Sequence, residues 1–381
     1  MKTVGIICEY NPFHRGHLEQ IEWIRAHFPD HAVVCMMSGS FVQRGEGAVF
    51  NKWVRAEAAV AQGADLVFEL PYPWCASSAE HFARGGVSLL DRLGVEHLVF
   101  GSECGDLSEL QSVADRLASA EYAKAMSEAE RDEGESYVRR SMRVYSLLYG
   151  EGFPVSPNDI LAVCYLRAIT EMGARIKPHT YRRISPYSAT AAREAIRGGD
   201  DALCRQLIPD EALALFREQS PVPPLLPADL VIPFFRLYPD PIERLCAYDG
   251  MSPGSPTRYR KAAMETTDEA QFYASLTSKR DTDARVRRSI LAAVIGAQRE
   301  TVLRHPFFTQ MLAVSETGRK LLSTLRRKAD PVILTKPASG KRLEGVAGEQ
   351  FALALRAEQL YATLQGVPAA DYLRRGPRLP K

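Results

Sequence analysis

The chain has 381 residues, 46% apolar and 25% charged, which is the make-up of an ordinary soluble globular protein long enough for two domains. With 48 basic against 46 acidic residues the formal charge is only +2, so bulk charge does not announce a nucleic-acid binder and any such site must come from local clustering. No apolar run reaches membrane-span length, and a strand that begins almost at once leaves no room for a signal peptide. The seven cysteines have no close pair, so a reducing cytoplasmic setting is expected.

Thr3 to Cys8 is a short apolar run that reads as a buried strand, and Leu18 to Ile24 carries apolar residues at helical spacing. Between them lies Asn11-Pro12-Phe13-His14-Arg15-Gly16-His17, two histidines flanking a glycine where a strand hands over to a helix. In an open α/β sheet that corner is at a strand's carboxyl end, where ligands bind. A helix start also favours phosphate through its free N–H groups and dipole. His14 and His17 are therefore candidates to hold a phosphoryl group. The other histidines (27, 31, 81, 97, 179, 305) form no cluster in sequence with one another or with a cysteine pair, which argues against zinc.

His31 to Met37 reads as a second strand, followed by the loop Ser38 to Glu46, which mixes glycines with an amide and an arginine. A helix is expected over Asn51 to Gln62, and its Lys52 and Arg55, just beyond the loop, could face a phosphate. A third strand spans Asp65 to Leu70, a helix Ser78 to Leu93, and a fourth strand Glu96 to Phe100, running into Gly101. Short apolar strands between amphipathic helices specify parallel βαβ units and a doubly wound α/β sheet. Asp106 to about Leu148 looks helical, and Ile160 to Met172 forms another helix for which Asn158 or Asp159 could be the cap. Arg175 to Tyr181 reads as a fifth strand.

Ser188-Ala189-Thr190-Ala191-Ala192-Arg193 opens a further helix. Ser188 can be a simple cap, yet with Thr190 and Arg193 it places two hydroxyls and a guanidinium on a first turn, a set that suits an oligophosphate. Past Asp200, five prolines between 221 and 233 mark a linker or irregular wrap rather than a core element, and helices dominate from about Pro239. The expected division is thus 1–200 for a nucleotide-binding domain and 201–381 for a helical, basic one. Between Ser278 and Arg288 the five cations Lys279, Arg280, Arg285, Arg287 and Arg288 outnumber two acids. Arg319, Lys320, Arg326, Arg327 and Lys328 form a second basic group, and Arg374, Arg375, Arg378 and Lys381 a third; together they point to a polyanion surface.

His14-x-Gly16-His17 together with Ser188-Ala189-Thr190-x-x-Arg193 resembles the HxGH nucleotidyltransferase superfamily. More narrowly, Glu9 to His17, Met37 to Glu46, Phe100 to Glu103, Pro157-Asn158, Arg285 to Arg288 and Ile333 to Pro337 closely resemble the tRNA(Met) cytidine acetate ligase family, over nearly the whole chain. The resemblance implies a Rossmann-like HxGH domain followed by a mainly α-helical one. It implies activation of acetate with ATP to acetyl-adenylate and pyrophosphate, then acetylation of N4 of the wobble cytidine in elongator tRNA(Met). It implies that Ile7, Cys8, Glu9, Tyr10, Asn11, Pro12, Phe13, His14, Gly16, His17 and Gln20, with Gly101, Asn158, Arg182 and Arg183, hold ATP, for which Mg2+ is a compatible counter-ion. His14, His17, Ser188, Thr190 and Arg193 would carry the chemistry, and Lys279, Arg280, Arg285, Arg287 and Arg288 would bind tRNA. Only Ser185-Pro186-Tyr187 separate the Arg-Arg-Ile element from the Ser-Ala-Thr element, so the loop closing over the phosphates is shorter than the family's usual one. The alternative that shares this active-site chemistry is a nucleotidyltransferase acting on a small metabolite.

Overall fold

The computed structural model describes residues 1–130, 135, 137–150, 153–154, 156–278 and 281–379. Its first half alternates as the apolar pattern requires. Strand β1 (Lys2–Cys8) leads to α1 (Arg15–His27) and β2 (His31–Ser38). A small hairpin of β3 (Phe41–Val42) and β4 (Glu46–Gly47) precedes α2 (Lys52–Ala61) and β5 (Leu66–Leu70). Then come α3 (Ala79–Arg92) and β6 (His97–Ser102). The stretch expected to be one long helical region is three helices, α4 (Leu107–Ala118), α5 (Ala120–Glu128) and α6 (Tyr137–Tyr149). The first break falls at Ser119, whose extended backbone ends α4 while its hydroxyl caps α5. Helix α7 (Pro157–Met172), β7 (Lys177–Arg182) and α8 (Ala189–Gly198) complete the half.

The second half runs through α9 (Asp201–Leu207), α10 (Asp210–Arg217), α11 (Ala228–Leu237), α12 (Ser255–Glu265), α13 (Glu269–Leu276), α14 (Asp283–Ile295) and α15 (Arg299–Leu303). It then adds β8 (Phe308–Val314), α16 (Glu316–Lys328), β9 (Val332–Leu334), α17 (Gly345–Gln365) and α18 (Ala370–Arg374). Among the described residues the main sheet has seven strands in the order β7-β6-β1-β2-β5-β8-β9. All neighbours are parallel except β5 and β8. β8 is fully buried, Thr309 and Gln310 included, so it lacks the in–out alternation that marks a strand in sequence. The second half is therefore helical as expected, but it also closes one side of the sheet begun by the first. The proline-rich wrap differs from expectation too: Val222, Leu226, Val231, Ile232 and Phe235 are buried, and Val222 N–H bonds Val49 O at 2.8 Å.

Side chains alternate between two cores as a pleated strand dictates. Ala32, Val34 and Met36 enter one, while Val33, Cys35 and Met37 enter the other. Successive strands leave β1 in opposite directions, towards β2 and β5 on one side and β6 and β7 on the other. The crevice outside the carboxyl ends of β1 and β6 is thus the topological switch point, and the His14–His17 corner opens there.

Candidate active site

After Cys8 the chain turns through Tyr10, a non-glycine residue held at φ 46°, a left-handed conformation costing about 1–2 kcal/mol. Burial of its ring edge-on to Phe13 and His17, both at 4.8 Å, sustains that turn. Asn11 fixes the next step: its Oδ1 accepts Val49 N–H at 2.7 Å, and its carbonyl accepts Arg193 NH1 at 2.9 Å. His14 then caps α1. Its Nδ1 accepts Gly16 N–H at 3.1 Å, and its own N–H donates to His17 Nδ1 at 3.2 Å. The two rings stack with centroids 3.7 Å apart.

That geometry fixes the chemistry of both rings. Each Nδ1 is an acceptor, so each neutral imidazole carries its hydrogen on Nε2. Burial, then Arg183 and Arg193, pushes His14 down to about 3; burial, then His14 and Arg183, holds His17 well below 6.5. The pair is two neutral Nε2–H donors near neutral pH, and positive charge at the site comes from arginine.

The residues expected to bind nucleotide do converge on this edge of the sheet, but several have side chains committed to the core. Cys8, Tyr10 and Phe13 are core side chains, and Ile7 packs into the opposite core. Gln20 is buried and ties α1 to β6 through Val99 O at 3.1 Å. Gly16 is needed because a Cβ there would meet the His14 ring at 3.0 Å and Ser185 Oγ at 3.1 Å. Gly101 accommodates the Tyr181 ring at 3.0 Å in the same way. Pro12 is buried within the turn. Asn158 donates to Glu103 Oε1 at 2.6 Å, and neighbouring Asp159 receives the Glu103 and Cys104 N–H groups, so neither is the cap of α7. Arg182 is exposed, and Arg183 reaches Tyr187 O at 3.2 Å from the short segment whose Ser185 lies over the α1 start.

Ser188 does cap α8, accepting Ala191 N–H at 3.2 Å. Thr190 is exposed, and its hydroxyl accepts Arg193 NH2 at 3.1 Å. Arg193 is buried with its other amino group on Asn11 O, so α8 is pinned directly to the histidine turn. Lys52 and Arg55 do not face a phosphate. Lys52 is fully buried between Glu69 at 2.7 Å and Glu358 at 3.0 Å, and buried Arg55 binds the carbonyls of Glu9, Ser38, Gly39 and Phe50.

The basic helix α14 sits against the site rather than away from it. Arg287 pairs with Glu46, and Arg288 donates to Gln43 O at 3.1 Å. Gln43 N–H in turn binds Glu9 Oε1 at 2.7 Å, and burial raises the Glu9 carboxyl above its ordinary range. Arg285 pairs with Asp281 at 3.2 Å, which also binds Arg258 at 2.6 Å. All three cations have intramolecular partners; Asp281 is only four residues from Arg285, but Glu46 and Gln43 lie 241 and 245 residues from Arg287 and Arg288, where sequence could not reveal them. Lys279, Arg280 and Lys381 lie outside the described residues. Arg319, Lys320, Arg326, Arg327, Arg374 and Arg378 are exposed.

His31, His97 and His179 do come together in space, with a 2.9 Å His97–His179 hydrogen bond. Among the described residues, however, no group of three or more His, Cys, Asp or Glu is arranged to hold a metal ion. Nor is any described helix long and apolar enough to cross a membrane.

Comparison with known proteins agrees with this geometry. The family described as HIGH Nucleotidyl Transferase matches residues 1–372. The tRNA(Met) cytidine acetate ligase of Ligilactobacillus salivarius is 32% identical over 358 residues, covering 88% of this chain and 90% of that protein. The enzyme of the same name from Anoxybacillus flavithermus is 33% identical, covering 86% and 87%. The crystal structure of Thermotoga maritima TmcAL bound with alpha-thio ATP is 31% identical and superposes with a TM-score of 0.90 over 100% of both chains. The chain belongs to the tRNA(Met) cytidine acetate ligase family of the HIGH nucleotidyl transferases.

Proposed function

We propose that this protein activates acetate with ATP and acetylates N4 of the wobble cytidine of elongator tRNA(Met), giving N4-acetylcytidine, AMP and pyrophosphate. The supporting observation is full-length likeness to an ATP-analogue-bound relative, together with the paired imidazoles at this chain's switch point. In the first step an acetate oxygen attacks the α-phosphorus and the bond to the β-phosphate oxygen breaks, releasing pyrophosphate. No covalent protein intermediate is required, so catalysis is positioning and electrostatics. His14 and His17 would present their Nε2–H groups to the α-phosphate oxygens as charge builds there. Thr190, Ser188 and Arg193 at the start of α8, with Arg182 and Arg183, would steady the rest of the phosphate chain. Any Mg2+ would arrive on the phosphates, since among the described residues no group of three or more His, Cys, Asp or Glu forms a cage for it.

In the second step the cytidine amine attacks the acetyl carbonyl, the acyl–phosphate bond breaks, AMP leaves and the amine proton passes to solvent. A single-stranded anticodon loop presents such a base without duplex opening. Residues 1–200 would supply the adenylation site, and 201–381 most of the RNA-facing surface. Incubation with ATP, labelled acetate and bulk bacterial tRNA, followed by nucleoside mass spectrometry, tests the reading. Labelled N4-acetylcytidine is expected; label transferred to no nucleoside, or exchange only with phosphate esters, would remove it.

A further inference from the structure

The tip of the β3–β4 hairpin presents one residue that the account above leaves unused. Gly45 N–H closes the turn on Val42 O at 2.8 Å, and Gly47 N–H is held by Pro224 O at 3.0 Å. Tyr361 binds Ala48 O at 2.8 Å. Arg288 fixes Gln43 O, Arg287 fixes Glu46, and Gln43 N–H fixes Glu9. The hairpin is therefore bolted on both sides of Arg44. Arg44 itself is exposed, and it makes no hydrogen bond or ion pair with any described residue. It nonetheless lies within electrostatic range of both the Glu9 carboxylate, whose Oε1 holds Gln43 N–H next along the hairpin, and the Arg193 guanidinium of α8.

The charge balance of the cleft asks for such a group. His14 and His17 are neutral. Arg193 spends NH1 and NH2 on Asn11 and Thr190 and is faced by Glu9 and Glu46. Beside Arg182 and Arg183, a strongly anionic triphosphate between α1 and α8 can take a further cation that is rigidly mounted yet unpaired, and a guanidinium's planar fork matches phosphate oxygens. We propose that Arg44, held at the hairpin tip opposite α8, binds the β- and γ-phosphates of ATP and so the departing pyrophosphate. This rests on the ATP-dependent reading of the site. The other phosphate source is the tRNA backbone, and the test separates the two.

The full chain carrying Arg44→Ala, Arg44→Gln or Arg44→Lys is compared with wild type in three assays: calorimetric binding of inorganic pyrophosphate, acetate-dependent ATP–pyrophosphate exchange, and filter retention of tRNA. Arg44 is exposed, so melting is expected to stay at the wild-type value. Alanine and glutamine should weaken pyrophosphate binding at least about tenfold and slow exchange in proportion, with lysine in between and tRNA retention unchanged. Unaltered pyrophosphate affinity in the alanine variant overturns the proposal; if tRNA retention falls instead, the guanidinium belongs to the RNA. Should wild type bind pyrophosphate yet fail to exchange with acetate, the acetate-ligase reading falls, while the binding comparison still decides Arg44.

Discussion

His14 and His17 cap one another: each ring's Nδ1 accepts a backbone N–H of the same helix turn, and the rings stack at 3.7 Å. One arrangement thus terminates the helix, selects the Nε2–H tautomer and keeps both rings uncharged. Removing the donor while keeping the cap separates these roles. Asparagine is a good helix cap, so His14→Asn should fold normally, yet lose acetate-dependent exchange on the order of 10²–10³-fold. His17→Ala should lose a similar amount. Wild-type exchange in either variant would remove the pair from the chemistry.

The same burial makes a pH prediction for stability. His14 titrates at about 3 in the folded chain against an ordinary 6.5. Between those values the unfolded chain binds a proton that the folded one does not. The contribution is therefore complete above about pH 6.5 and declines as pH falls. Urea midpoints should drop more steeply between pH 7 and 5 for wild type than for His14→Asn, and parallel slopes would contradict the burial argument.

Lys52, Glu69 and Glu358 form a second buried group, one ammonium shared by two carboxylates from α2, β5 and α17. Lys52→Met leaves two buried acids unpaired and should cost about 3–5 kcal/mol in urea unfolding. Burial pushes Glu69 up to about 7 despite Lys52, above its ordinary 4.5. Here the folded chain holds the extra proton, so this contribution is present at low pH and lost as pH rises through 7. Glu69→Gln should flatten stability between about pH 4.5 and 7, where folded and unfolded chains differ in proton binding.

Much of this architecture was legible in order along the chain. Strands β1, β2, β5, β6 and β7 alternate with helices in the expected sequence, with only the small β3–β4 hairpin added in the expected loop, and the His14–Gly16–His17 corner falls at the switch point that strand order defines. What pattern could not show is what depends on distant partners. Lys52 and Arg55 look like phosphate ligands by proximity, but Glu358 and four carbonyls claim them. Nor does spacing show that Gly16 and Gly101 make way for the His14 and Tyr181 side chains packed beside them. β8 hides because a strand buried on both faces has no alternation to read.

The arginines of α14 illustrate the same point with a functional consequence. Arg287 and Arg288 grip Glu46 and Gln43 of the hairpin beside Glu9, so loss of either should disturb adenylation as well as RNA binding. Arg287→Ala should slow exchange about ten- to a hundredfold, on the order of what a 1 Å misplacement costs. Arg326→Glu with Arg327→Glu, both exposed on α16, should instead weaken tRNA retention and its salt dependence while leaving exchange intact. Exchange unaffected by Arg287→Ala would mean that the hairpin is not part of the site.

Gly45 offers the most direct probe of that contact. It sits at φ +74°, and a Cβ there would stand 2.5 Å from Arg288 N and 2.8 Å from Arg287 C, both backbone atoms that cannot swing aside. Gly94 has φ +81° with nothing within 4 Å, so Gly94→Ala carries only the cost of left-handed backbone, about 1–2 kcal/mol. Gly45→Ala adds a collision that forces the hairpin off α14, carrying Gln43 away from Glu9. Its unfolding free energy should fall further than that of Gly94→Ala, and its exchange activity should fall where Gly94→Ala leaves it unchanged. Equal behaviour of the two alanines, in urea and in exchange, would show that the hairpin–helix contact neither holds the fold nor shapes the site.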